Sequence, residues 1–508
     1  MRALLVLVLV SGSATAAVGV HVDRRVELVS AAERLAGAGE YTESEHTAYV
    51  DELDKLLAPF AHHPAIEMAR KLHDAGIAYD APMSFAIMFD DPQRAAHLRA
   101  IDPRWNNGDP DAWATALMQL ERDAKLDAFW DAHAAYIKQV EQRYADAIAR
   151  DKPEAWYAEL FGPSKQTFRI VPSLINGPSN YGPHTDSERI QIMGLGNVDA
   201  KGLPILDDTA VAVIVHEMGH SFVNPVIDRH RAELEAAAGP LYAAVAPQMQ
   251  ALAYGAVNIM LYESCVRALT TLYTREHHGA DAGADAARGE ISSGFAWTPA
   301  LVDLFATFHA KHIRNLDAFV PQLVTFFAAT SKQYEHGAPP HAFVGPIDGI
   351  GTDDNAFVHS PDAGVAAYAK TIRDRFMPNA TLRVVAAADR FETAPPGHLR
   401  LYGSPSTNPL VADLAKRAGW KISDGALAIG RQRFTGPGLV VIACWPRPGD
   451  TNHGVVVYTS AHDADLVGIN GLMAGGTDWV IGRKVGTDFK LLARGNFHAT
   501  ASGAWKLP

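Results

Sequence analysis

His216, Glu217 and His220 form a His-Glu-x-x-His pattern inside the apolar stretch Val211 to Asn224, VAVIVHEMGHSFVN. On an α-helix, residues four apart lie one turn above each other on the same face. Both imidazoles can therefore aim a ring nitrogen at one cation, at the roughly 2.0–2.1 Å that zinc prefers. Glu217 lies about 100° around the helix from His216, outside that pair but close enough to reach a water beside the metal. Zn2+ is the expected cofactor, because it lowers the pKa of a water toward about 7. Glu217 then takes the proton as the water attacks, the arrangement zinc-assisted hydrolysis needs. A buried helix with two imidazoles, a carboxylate and no metal would have to satisfy three polar groups some other way.

Two histidines leave a tetrahedral site incomplete, so a third protein ligand is expected. Asp228, His230, Glu233, Glu235, Glu263, Glu276 and His277 are the candidates, and Glu263 is preferred. It sits in the apolar helical stretch LYESCVRALTTLY, where an unpaired carboxylate is costly. Arg267, four residues on, is its expected partner, and a cation behind a ligating carboxylate also serves to orient it. Peptide hydrolysis needs a donor for the developing oxyanion. Tyr181, Asn176, His230 and Arg267 are possible, with Tyr181 taken as the catalytic partner of Glu217. Asn224 is expected to cap the motif helix.

The motif helix should start at Asp207 or Asp208 and end at Asn224-Pro225. Before it, Thr167–Val171 and Arg189–Gly194 read as strands of a small sheet, separated by the Gly/Pro/Asn-rich loop Asn176 to Pro183. The strand Ile190 to Gly196 is expected to be an edge on which a peptide substrate lies as an extra strand, with Gly194 and Gly196 admitting its backbone. From Val20 to Leu160 the apolar residues recur at helical spacing, as in Val26, Leu28, Val29, Ala32, Leu35 and Ala36. His62, His63 and His73 in this region read as surface or capping residues.

The expected fold class is α+β. A signal peptide at 1–17 precedes a mainly helical, zincin-like catalytic domain at 18–335 with a small sheet. A linker at 336–379 then leads to a smaller α/β accessory domain with parallel strands at 380–508. The turn Gly403 to Asn408 enters a helix whose N-terminus could bind an anion. It matches neither a phosphate-cradling loop nor a nucleophile elbow.

Met1-Arg2, the apolar run Ala3 to Val10 and the small residues to Ala17 read as a secretory leader, which implies a periplasmic or extracellular protein. No other stretch approaches about 18 uninterrupted apolar residues, so no integral membrane segment is expected in the mature chain. The net charge of −12 over 508 residues argues against nucleic acid and anionic membrane surfaces as partners. A peptide or protein substrate is the expected partner. The two cysteines, Cys265 and Cys444, sit in apolar company and read as buried free thiols.

The His-Glu-x-x-His motif with a downstream helical Glu263 resembles the gluzincin group of zinc metallopeptidases. From about Val26 to near Thr330, including VELVSAAERLAG, GIAYDAPMS, NYGP and HEMGHSFVNP, the chain also looks like an uncharacterised bacterial family of exported His-Glu-x-x-His proteins. The resemblance implies His216, His220 and Glu263 as ligands and Glu217 as catalytic acid/base. The interval between His220 and Glu263 is longer than in many gluzincins. A reading of a different class keeps the zinc as a structural element of a non-catalytic cell-envelope protein. Against it, a closed structural site has no use for Glu217.

Overall fold

The helical spacing that begins at Val26 is realised in the computed structural model, which describes residues 18–42, 47–162, 166–177, 179–183, 185, 187–196, 198–337, 342–350, 354–430, 432–472, 476–499 and 505–506. The leader expected at 1–17 lies outside the described residues. The chain is mixed α+β, with a helical N-terminal region followed by a β-rich domain. Its contacts divide it into two units, Met1–His230 with Ala306–Val320 and Arg231–Phe305 with Pro321–Pro508.

In the first unit the helix Arg24–Ala36 is the central element of the core. Asp23 caps its start by accepting the Arg25 N–H at 3.0 Å, and Gly37 ends it at φ 89°, a left-handed position that glycine takes without strain. Val26, Leu28, Val29, Ala31 and Ala32 are buried, and the helix packs on Pro64–Asp74 and Asp80–Ile87. Phe85, Trp105 and Trp113 stack in the same core, with Phe85 and Trp113 ring centroids 4.6 Å apart. His63 caps the helix Pro64–Asp74 through Nδ1, the capping role its position suggested.

The small sheet has four strands: β1 (Gly19–Val20), β2 (Thr167–Ser173), β3 (Asn180–Tyr181) and β4 (Glu188–Gly194), in the order β1-β2-β4-β3. β4 lies parallel to β2 and antiparallel to β3, so it is an inner strand and not the expected edge. Residues 179–183 and 185 run along its outer side, with Gly194 N–H donating to the Ser179 carbonyl, Ile190 N–H to the Pro183 carbonyl and Thr185 N–H to the Glu188 carbonyl. Gly194 does admit a close backbone, but that backbone is the chain's own. A Cβ there would stand 1.9 Å from the Gly177 carbonyl oxygen.

The motif helix runs Asp208–Arg229, capped by Asp207, which accepts the Ala210 N–H at 3.0 Å. Val211, Ile214, Val215 and Met218 are fully buried, which anchors one face. It passes through Pro225 instead of stopping at Asn224. The proline removes one helical donor, but Val223, Val226 and Ile227 are buried around it. Asp317 also binds Arg229 at 2.7 Å and His230 at 3.0 Å just beyond the last turn. Among the described residues this is the one helix long and apolar enough to cross a membrane by length and composition.

The second unit contains the helices Arg231–Ala251, Val257–His278 and Ala280–Ser292. The first two of these helices are separated at 252–256, where Ala253 takes φ 65° and the Tyr254 N–H returns to the Met249 carbonyl. Further on lie β5 (Asn355–His359), β6 (Thr381–Val384), β7 (His398–Tyr402), β8 (Lys421–Ser423), β9 (Ala426–Ile429) and β10 (Gln432–Thr435). They are followed by β11 (Leu439–Arg447), β12 (Asp450–Ser460), β13 (Trp479–Val485) and β14 (Asp488–Gly495). Seven of these form one sheet in the order β14-β13-β11-β12-β7-β5-β6.

Two expectations are corrected there. The stretch taken as linker contributes β5 and the helix Ala363–Phe376, and β5 pairs on both sides, with β6 and β7. The sheet is parallel only through β12, β7, β5 and β6, while β11, β13 and β14 are antiparallel. Residues alternate between its faces: Leu399, Leu401, Val455 and Val457 pack with Leu410 and Leu414 of the helix Pro409–Arg417. Tyr402, Val456 and Tyr458 pack with Val365 and Ala369 of Ala363–Phe376. Cys265 and Cys444 are buried free thiols, as their surroundings suggested.

Candidate metal centre

The two motif imidazoles converge. His216 Nε2 and His220 Nε2 are 3.2 Å apart. Two ligands at zinc bond lengths on a tetrahedron stand about 3.3 Å apart, so this pair is already at the spacing one ion imposes. His220 Nδ1 meets Asn224 Oδ1 at 3.2 Å. The amide oxygen accepts, so Nδ1 carries the proton and Nε2 keeps the lone pair that a cation needs. Asn224 was expected to cap the helix, and its contact with His220 is a role the sequence reading missed. The signal was present, because Asn224 follows His220 at the i+4 spacing that places two side chains on one face.

The ligating atoms of His216, His220 and Glu263 all lie within 4.8 Å of one another. No other group of three such residues occurs among the described residues. Glu263 is buried and accepts a hydrogen bond from Arg267 Nε at 3.1 Å. The set of two imidazoles and one carboxylate fits a divalent cation of the zinc type. The remaining candidates are placed otherwise: Asp228, Glu233 and Glu276 are exposed, His230 binds Asp317, and Glu235 binds Arg231 at 2.8 Å. His277 stacks on Tyr273 with ring centroids 3.9 Å apart.

Glu217 sits beside the loop that precedes β4. A Cβ on Gly182 would lie 3.9 Å from its Oε2, so the loop backbone passes close to the carboxylate. Tyr181 is the neighbouring residue. Its ring stacks on the buried Tyr41 with centroids 6.2 Å apart, inside the helical core. Burial pushes its hydroxyl up to about 12. The structure therefore places Tyr181 in the packing and does not bring it to the histidines. Asn176 is likewise buried, donating to the Ser179 carbonyl at 3.2 Å within its own loop.

The turn Gly403 to Asn408 carries its own anion. Asp463 Oδ1 accepts the Ser404 N–H at 2.8 Å and the Thr407 hydroxyl at 2.9 Å. Burial opposes the Asp463 charge, but these donors and Ser360 hold its carboxyl below the ordinary range.

Fold and site together define a mixed α+β protein with a His-His-Glu group able to hold a metal ion. Residues 105–326 match the family model described as a domain of unknown function, DUF4932. The matched span includes β2 to β4, the motif helix and Glu263. No curated protein and no solved structure matches the chain.

Proposed function

We propose that this protein is an exported zinc metallopeptidase. His216, His220 and Glu263 hold the metal, and Glu217 acts as general base. The observation that carries the reading is the 3.2 Å approach of the two Nε2 atoms with a carboxylate in the same group. When bound, the cation makes water acidic and polarises a carbonyl oxygen. Glu217 takes the proton from the attacking water and returns it to the leaving amine. Asn224 keeps the His220 ring in the tautomer that presents Nε2.

β3 ends the sheet order, and the loop around Gly182 passes beside Glu217. The extended segment Asn180–Pro183, and not Ile190–Gly196, is then the strand against which a peptide backbone would lie. The resemblance of the motif to gluzincins supports the same reaction class. A structural zinc site would close with a fourth protein ligand, and Glu217 beside the pair favours turnover instead.

Incubation of the full chain with a peptide library, with and without chelator, tests the reading. Cleavage that stops on chelation and returns with added zinc is expected. Absence of cleavage by the zinc-loaded chain across the library, or cleavage indifferent to chelator, would overturn it.

A further inference from the structure

Arg267 stands between two carboxylates on consecutive helices. From the helix Val257–His278 it donates through Nε to Glu263 Oε2 at 3.1 Å, and through one terminal nitrogen to Glu290 Oε2 at 2.7 Å on Ala280–Ser292. Its other terminal nitrogen donates to the Tyr254 hydroxyl at 2.8 Å. The guanidinium carbon lies 4.7 Å from the Phe295 ring centroid. All three nitrogens are committed and the planar fork is stacked, so the group has one orientation.

The three charged side chains are 10, 18 and 19 % exposed for Glu263, Arg267 and Glu290. In such partly dry surroundings their charges act strongly on one another. Arg267 paired with Glu263 alone would neutralise the carboxylate that a cation must use. Glu290 supplies the second negative charge, so the guanidinium can fix Glu263 through Oε2 while the three groups together keep one net negative charge.

We propose that Glu290 and Arg267 are positioning residues for Glu263: Arg267 fixes the direction of the ligating carboxylate, and Glu290 balances Arg267 so that Glu263 retains its charge for a divalent cation. This rests on the reading of Glu263 as the third ligand. Residues that support metal ligands in this way typically change metal affinity by about 10–100-fold when altered.

The test is zinc affinity of the full chain, measured by competition with a chromophoric chelator, alongside thermal unfolding of the metal-free protein. Glu290→Gln keeps the shape and removes the charge, and should weaken zinc binding by about tenfold or more. Glu290→Asp, which keeps the charge, should stay near the wild-type affinity. The double variant Glu290→Gln/Arg267→Met should bind zinc more tightly than Glu290→Gln alone, because the unbalanced cation has gone. A purely structural role predicts that the double variant loses at least as much as the single one and that both lower the metal-free unfolding midpoint in parallel. That pattern, or unchanged affinity in Glu290→Gln, would overturn the proposal. A wild-type chain that binds no zinc would remove the metal-centre reading first, and this proposal with it.

Discussion

His216 Nε2 and His220 Nε2 face each other at 3.2 Å across one turn of the helix Asp208–Arg229. That spacing is the one a tetrahedral ion sets for two of its ligands. The buried apolar face of Val211, Ile214, Val215 and Met218 fixes the helix in rotation, so the imidazoles are aimed by packing well away from the site.

Glu217→Gln should leave the metal in place and lower peptide turnover by on the order of 10² to 10⁴, the usual contribution of a positioned general base. Zinc content and kcat measured on the same preparation check this. Unchanged kcat would remove Glu217 from the mechanism.

Asn224→Ala should release the His220 ring from its tautomer and weaken zinc binding by about tenfold. The fold should be largely untouched, since the helix passes Asn224 in either case. Chelator competition gives the affinity and circular dichroism the fold.

The helical N-terminal region, the small sheet and the sequence positions of the two histidines were legible in the sequence because periodicity and the motif are local. The helix through Pro225 was not, because a proline reads as a stop when the burial of Val226 and Ile227 is unknown. The edge strand was misplaced for a related reason. The alternation in Arg189–Gly194 marks a strand but not its neighbours, and the neighbour on its outer side, β3, is only two residues long. Tyr181 reads as a catalytic donor from its place in a loop beside the expected edge strand, yet the Tyr41 ring it stacks on lies 140 positions earlier in the chain, beyond the reach of any local pattern. The region 336–379 read as linker from its Gly/Pro content, although β5 within it is an inner strand whose partners β6 and β7 follow it in sequence.

Glu27 is a buried carboxyl that pattern reading passed over. It accepts the Leu174 N–H at 2.8 Å, the Ser173 hydroxyl at 3.0 Å and the Tyr49 hydroxyl at 3.3 Å. Burial pushes it up to about 7 despite these donors. A carboxyl raised on folding favours the folded state most below its unfolded value near 4.5, and that contribution fades as pH rises through about 7. Wild type should therefore lose up to roughly 3 kcal/mol between pH 4.5 and 8 from this group. Glu27→Gln should not show that slope. Denaturant titrations of both proteins across this range decide it, and parallel profiles would contradict the assignment.

Asp463 works in the opposite direction. Its carboxyl is held below the ordinary range, so its contribution is present above the unfolded pKa and disappears as pH falls through the lowered value. Asp463→Ala should destabilise the β-rich domain by about 1–3 kcal/mol at neutral pH, the penalty for stranding the Ser404 and Thr407 donors. Urea unfolding at pH 7 and below 4 measures both, and the difference between the proteins should shrink at the acid end.

Metal stoichiometry of the purified full-length chain tests the central claim most directly. Elemental analysis should find one zinc per wild-type chain and almost none in His216→Ala or His220→Ala, with the fold retained by circular dichroism. A wild-type chain without stoichiometric zinc, or histidine variants that keep it, would contradict the account.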